Sequence, residues 1–270
     1  MPASLADERR RPRFGLSLRQ AAHGWFVVTL IGQLLFTLFI IGFYYASIFT
    51  DNFAGWDAKP NITGFEPGDA AGNRQFAGHV LLSAVMTLAG LAQLLPALRQ
   101  RWPRLHRWSG RLFLATAALL ALGGLWLTWG RGSYLAVTGA LAISIDAALI
   151  LFCGAQAFIT ARARDFAAHR RWALRTFIVA SGVWFMRVGY MAWGLGTGGA
   201  GIAKGMSGPF DLVWGFATYL LPLAVLELYL RAERGSARAQ GAMAAGLWLG
   251  NAVILAGSIG AWAVMWMPYL

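Results

Sequence analysis

Seven apolar runs decide what this chain can become. Residues 25–49, 76–98, 111–129, 134–160, 172–196, 209–230 and 242–266 are each about 20 residues or longer and hold few charges. A helix needs about 20 apolar residues to cross a bilayer, and a single segment satisfies its own backbone groups in lipid only as a helix. The sequence therefore predicts an all-α, polytopic membrane protein with seven transmembrane helices. Composition agrees: 58% of residues are hydrophobic and 13% charged, against about 25% charged in soluble domains. The first run is too long for a signal-peptide core and lacks a small-residue cleavage site, so it reads as an uncleaved helix. Residues 1–24 form a basic tail and residues 25–270 one transmembrane domain.

The net charge of +12 would suggest a nucleic-acid partner in a soluble protein. Here the charge lies in short runs between apolar segments, which excludes that reading and sets an orientation, because cytoplasmic loops collect Lys and Arg. Of 23 basic residues, 18 fall in the tail (Arg9, Arg10, Arg11, Arg13, Arg19) and in the stretches 99–111, 162–175 and 231–238. Four, Lys59, Arg74, Arg131 and Lys204, fall on the other side, and Arg187 lies within a span. The N-terminus is expected in the cytoplasm and the C-terminus outside, with anionic lipid headgroups as partners of the basic loops. The acidic, turn-rich loop 50–75, with Asp51, Asp57, Glu66 and Asp69, is expected to face outward.

Part of the chain reads as one two-helix unit written twice. Gln93, Arg99, His106 and Arg107 recur as Gln156, Arg162, His169 and Arg170 at a constant offset of 63, and Trp129-Gly130 recurs as Trp193-Gly194 at 64. The copies, 76–130 and 134–196, are expected to form a four-helix core related by an axis along the membrane normal. The first, sixth and seventh helices would pack around it. Gly246 and Gly250 make a small-xxx-small pair that lets helices approach.

Polar residues inside spans reveal inward faces. His79, Ser83, Thr87, Gly90, Gln93 and Ala97 make one stripe on the second helix; Gly139, Ala142, Asp146, Cys153, Gln156 and Thr160 make another on the fourth. Thr176, Ala180, Trp184, Arg187, Met191 and Gly194 make a third on the fifth. Small residues and amides serve helix packing, but Asp146 and Arg187 are charges within the bilayer, costing about 2.5–3.5 kcal/mol each. Their similar depths suggest a salt bridge, either structural or lining a ligand site. The lone Cys153 permits no intrachain disulfide, and the carboxylates do not cluster with the histidines, so no metal site is expected.

His106 and His169 hold equivalent positions at the basic ends of their helices. One reading makes them the two axial ligands of a haem b, with Arg107, Arg111, Arg170 and Arg175 holding the propionates. The other has the His-Arg pairs reaching to phosphate headgroups. His79 lies near the opposite end of its helix and His23 opens the first helix.

The run GHVLLSAVMTLAGLAQLLPALRQRWPRLHRWSGRLF, followed by HRRWALRTF, resembles a family of predicted bacterial integral-membrane proteins catalogued as a domain of unknown function. The resemblance covers roughly residues 70–195 and places His79, Arg99, His106, Arg107, Gly110 and Arg111, with His169, Arg170 and Arg175, in its motif. It implies location in the bacterial cytoplasmic membrane. The expected core is similar in architecture to membrane b-type cytochromes and ferric-reductase-like domains, which implies a redox or ligand-binding role; a non-redox transporter or lipid-binding protein is the alternative. His79 has no histidine at its own depth, so the likeness implies one haem and not two.

Overall fold

Capping residues written into the sequence fix where most helices start. In the computed structural model, which describes residues 14–50, 52–58 and 64–270, Asp69, Asp165 and Ser236 each accept a hydrogen bond from the backbone N–H three residues on. Pro96, Pro103 and Pro209 open three more helices, where the missing N–H costs nothing. No strand occurs among the described residues.

Helix α1 spans Phe14–Phe39 and runs on through a wide π turn, Ile40–Tyr45, to Phe49. Then follow α2 (Ala70–Gln93), a short α3 (Pro96–Arg101) and α4 (Pro103–Leu125), with a π turn over Trp126–Gly130. Next come α5 (Val137–Arg162), α6 (Phe166–Ala180), α7 (Gly182–Thr197), α8 (Pro209–Ala232) and α9 (Ala237–Gly260). Because α1 starts at Phe14, the second half of the expected tail is helical. Arg9, Arg10, Arg11, Arg13, Asp51 and Lys59 lie outside the described residues.

Among the described residues six helices are long and apolar enough to cross a membrane: Ser17–Ile48, Ala70–Gln93, Pro103–Gly130, Val137–Arg162, Pro209–Ala232 and Ala237–Tyr269. The expected fifth span, residues 172–196, departs from this pattern. It is two helices of 15 and 16 residues, α6 and α7, meeting at Ser181, whose φ of −88° and ψ of 3° leave the helical region. A Ser-Gly pair is a common cause of such a break. Here the Ser181 hydroxyl donates to Phe177 O (2.8 Å) and accepts from Gln33 Nε2 (2.9 Å). A second helix therefore holds the break in place.

The consecutive helices α2, α4, α5 and α6 pack in sequence, α8 lies against α5, α6 and α7, and α9 lies between α1 and α7. At the centre of the expected four-helix core, Phe113 of α4 meets Phe177 of α6 (ring centroids 6.5 Å), and Gly90 of α2 leaves room for both rings. The same buried cluster extends to α1, where Phe36, Phe39 and Tyr44 meet Trp184, Trp266, Trp56 and Phe76. Trp56 brings the loop before α2 down onto Tyr44 and Phe76 (6.0 and 5.7 Å). Large apolar side chains such as Leu119, Phe152, Val213 and Leu249 point outward, as lipid-facing surfaces require.

The glycine that brings α9 close to its neighbour is not the expected one. A Cβ on Gly246 or Gly250 would meet nothing within 4 Å, whereas one on Gly257 would strike the Val188 carbonyl of α7. Similarly, a Cβ on Gly189 of α7 would overlap the Trp214 indole of α8.

Candidate functional site

Two groups of candidate side chains emerge, in different parts of the structure. The first lies at the basic end, where α2 joins α4 and α5 joins α6. Gln93 Nε2 donates to His106 O (3.1 Å) and Ser109 Oγ (2.6 Å), tying the first hairpin. In the second hairpin His169 Nδ1 lies 2.9 Å from Ala157 O. A carbonyl only accepts, so Nδ1 carries the proton, and in the neutral ring Nε2 holds the free lone pair. Gln156, the counterpart of Gln93, makes no side-chain hydrogen bond among the described residues. His106 Nδ1 is buried without a partner, and Arg99, His169 and Arg107 are close enough to act on this ring electrostatically.

Two arginines of that end are held by carboxylates. Arg170 forms two 2.9 Å bonds with Glu233, which also accepts from Tyr229 (2.9 Å). Burial alone would raise the Glu233 carboxyl, but the bonds from Arg170 and Tyr229 outweigh it and hold it below the usual carboxylate range. Arg175 grips Glu227 at 2.6 and 2.9 Å and lies over the Trp172 ring (4.6 Å). Glu227 and Glu233 escape a reading based on arginine counts. A carboxylate inside an apolar run, as Glu227 is, is the signal that finds such a pair.

The second group lies within the bilayer around Ser181. Asp146 and Arg187 do not form the expected salt bridge. Gly182 lies against the Asp146 carboxylate, because a Cβ there would fall 2.9 Å from Oδ2. Arg187 is five residues further on, about 140° around the helix, and so cannot face Asp146 as well. It donates to Val183 O (3.0 Å) and places its guanidinium over Phe36 of α1 (5.1 Å). Asp146 Oδ1 is buried without a partner. Tyr219 of α8, also against Gly182, is 1% exposed with its hydroxyl unpartnered.

His79 belongs to neither group. It packs on Gly123 and Gly124 of α4, next to Gln75, with Nδ1 buried and unpartnered. At the same end, Arg131, its side chain 4% exposed, bonds Asp69 Oδ2 (2.9 Å) and Asn73 Oδ1 (2.8 Å) and reaches towards Gly64 O (3.5 Å). Asp211 accepts from Gly208 N, Ala203 N and the Tyr190 hydroxyl at 2.8–2.9 Å. These are loop clasps. No group of three or more His, Cys, Asp or Glu that would hold a metal ion occurs among the described residues.

Comparison with curated proteins found no match, and neither did comparison with solved structures. A family model does match, and its stretch begins inside α2 and ends just beyond α7, taking in both histidines, Asp146 and the break at Ser181. Residues 76–204 match the model of a family described as Predicted membrane protein (DUF2306), a domain of unknown function, and the apolar helices around that stretch are those of an integral membrane protein.

Proposed function

We propose that the protein is a b-type-cytochrome-like membrane protein that binds one haem b between His106 and His169, in a cytoplasmic membrane with its basic end inside. The observation that supports the reading most is the state of the two imidazoles. His169 has Nδ1 fixed on Ala157 O, leaving Nε2 free, the arrangement that orients a metal-ligating histidine. His106 lies within electrostatic reach, its Nδ1 orphaned. Arg99 and Arg107 supply the positive charge that propionates need. Arg170 and Arg175 are committed to carboxylates and leave that expected set. When bound, haem would supply one-electron transfer; the chain's part is to ligate through the histidines and to neutralise the propionates. The test is an absorption spectrum of the purified protein, air-oxidised and then dithionite-reduced, after expression with added haem. A reduced b-type band is expected, lost on replacing either His106 or His169 with alanine and kept when His79 is replaced. A wild type without the band overturns the reading.

One observation favours the headgroup-binding alternative. An apolar cleft of about 390 Å³ between α4 and α5, lined by Leu114, Ala118, Ile150, Gly154 and Phe158, has Arg111 at its edge. That pairing suits a lipid tail with its phosphate. Native mass spectrometry would then find a bound anionic lipid that Arg107→Gln and Arg111→Gln together remove, with no haem band.

A further inference from the structure

The break at Ser181 concentrates unsatisfied polar groups in the middle of an apolar protein. Five of the ten buried side-chain N and O atoms without a partner among the described residues belong to Thr29, Asp146, Trp184, Tyr219 and Ser258. Asp146 and Tyr219 lie against Gly182, the residue after the break. Trp184 lies in the first turn of α7, and a Cβ on Gly32 would lie 2.7 Å from both its ring and Ser258 Oγ. Thr29 is one turn from Gln33, which bonds Ser181. Each such atom costs about 1–3 kcal/mol if left unpaired, so five around one break mark a place built to receive something polar.

Charge identifies what. Asp146 is nine residues into α5 from Val137, about 14 Å along the helix. Of the elements packed on α5, α8 contributes Tyr219, on which the Asp146 charge acts. Arg187 of α7 turns to α1, and the Arg175–Glu227 pair lies near Cys153, two turns further along α5. No cation pairs with Asp146 among the described residues. Broken helices inside membranes offer half-helix ends to ions, and Tyr219, whose Cβ lies 3.6 Å from where a Cβ on Gly182 would stand, carries a buried, unpartnered hydroxyl. A single carboxylate matches one positive charge; a divalent ion would leave net charge in hydrocarbon. We propose that Asp146, Tyr219 and the α6–α7 break form an intramembrane binding site for a monovalent cation, H⁺ or Na⁺, separate from the histidine pair.

The test is infrared difference spectroscopy of the full chain in lipid nanodiscs, following the protonated-carboxyl stretch over about pH 5 to 10, with sodium or choline chloride at equal ionic strength. Asp146→Asn should remove the titrating band, and Tyr219→Phe, which removes one hydroxyl and no charge, should move its midpoint. If sodium is the occupant, it bleaches the band at fixed pH, with affinity about tenfold weaker per pH unit below the midpoint, because proton and ion compete. If the proton is the occupant, the band follows pH alone in either salt. A band unchanged in Asp146→Asn overturns the site. If that variant does not fold, a wild-type band that neither pH nor sodium moves, or a midpoint unaltered in Tyr219→Phe, overturns it equally.

Discussion

Replacing Arg131 with methionine should destabilise the protein more than any other single change in its loops. The side chain is 4% exposed and makes two short bonds, to Asp69 Oδ2 and Asn73 Oδ1, with a third, longer one to Gly64 O. Methionine fills most of the apolar stem and supplies no donor, so the loss is mainly of hydrogen bonds to charged groups, about 1.5–3 kcal/mol each. Asp69 is 30% exposed, so water recovers part of this, leaving about 2–3 kcal/mol. At about 2–4 °C per kcal/mol for a chain of this size, the midpoint should fall by roughly 4–12 °C. Fluorescence-detected size-exclusion after heating measures it; the midpoint is operational, since such proteins unfold irreversibly. Asp69→Asn provides the control, because the amide still accepts from Gly72 N and keeps the cap of α2. In the methionine background it should cost less than about 0.5 kcal/mol more. An Arg131→Met midpoint within about 2 °C of wild type, or the same Asp69→Asn loss in both backgrounds, would refute the reasoning.

Four further outcomes follow from other parts of the structure. The carboxyl of Glu233 is held low, so its pair with Arg170 contributes fully above the ordinary glutamate range near about pH 4.3 and is lost as pH falls through the lowered folded value; the gap in thermal midpoint between wild type and Glu233→Gln should close only there. Exchanging Asp146 and Arg187 together should recover none of the folded yield lost in the single variants, and recovery would put them back in contact. Gly257→Leu should cost about 1–3 kcal/mol or more by overpacking and lower yield, while Gly246→Leu and Gly250→Leu leave it unchanged. A reporter active only in the cytoplasm should work when fused after Arg238 and fail after Leu270; the reverse result would invert the orientation.

Six of the seven spans were legible because hydropathy and length are one-dimensional, and a run such as 134–160 needs no neighbour to declare itself. Rotation was not. Matching Asp146 to Arg187 by depth ignored the angle between Arg187 and Gly182 on one helix, and only Gly182 lies on Asp146. The break at Ser181 was written as a Ser-Gly pair in an apolar run, but the side chain that bonds it, Gln33, lies 148 residues earlier. Likewise Arg170 and Arg175 looked free because their carboxylates stand 63 and 52 residues away.

The packing of α1 against α9 sets a clock on assembly. Asn251 Nδ2 donates to Ala21 O across 230 residues, and at about 5–20 residues per second of synthesis α1 waits roughly 10 to 50 s for that partner. Ser181, the partner of Gln33, is made 70 residues before Asn251, so the bond that holds the break can form while the seam between α1 and α9 is still open.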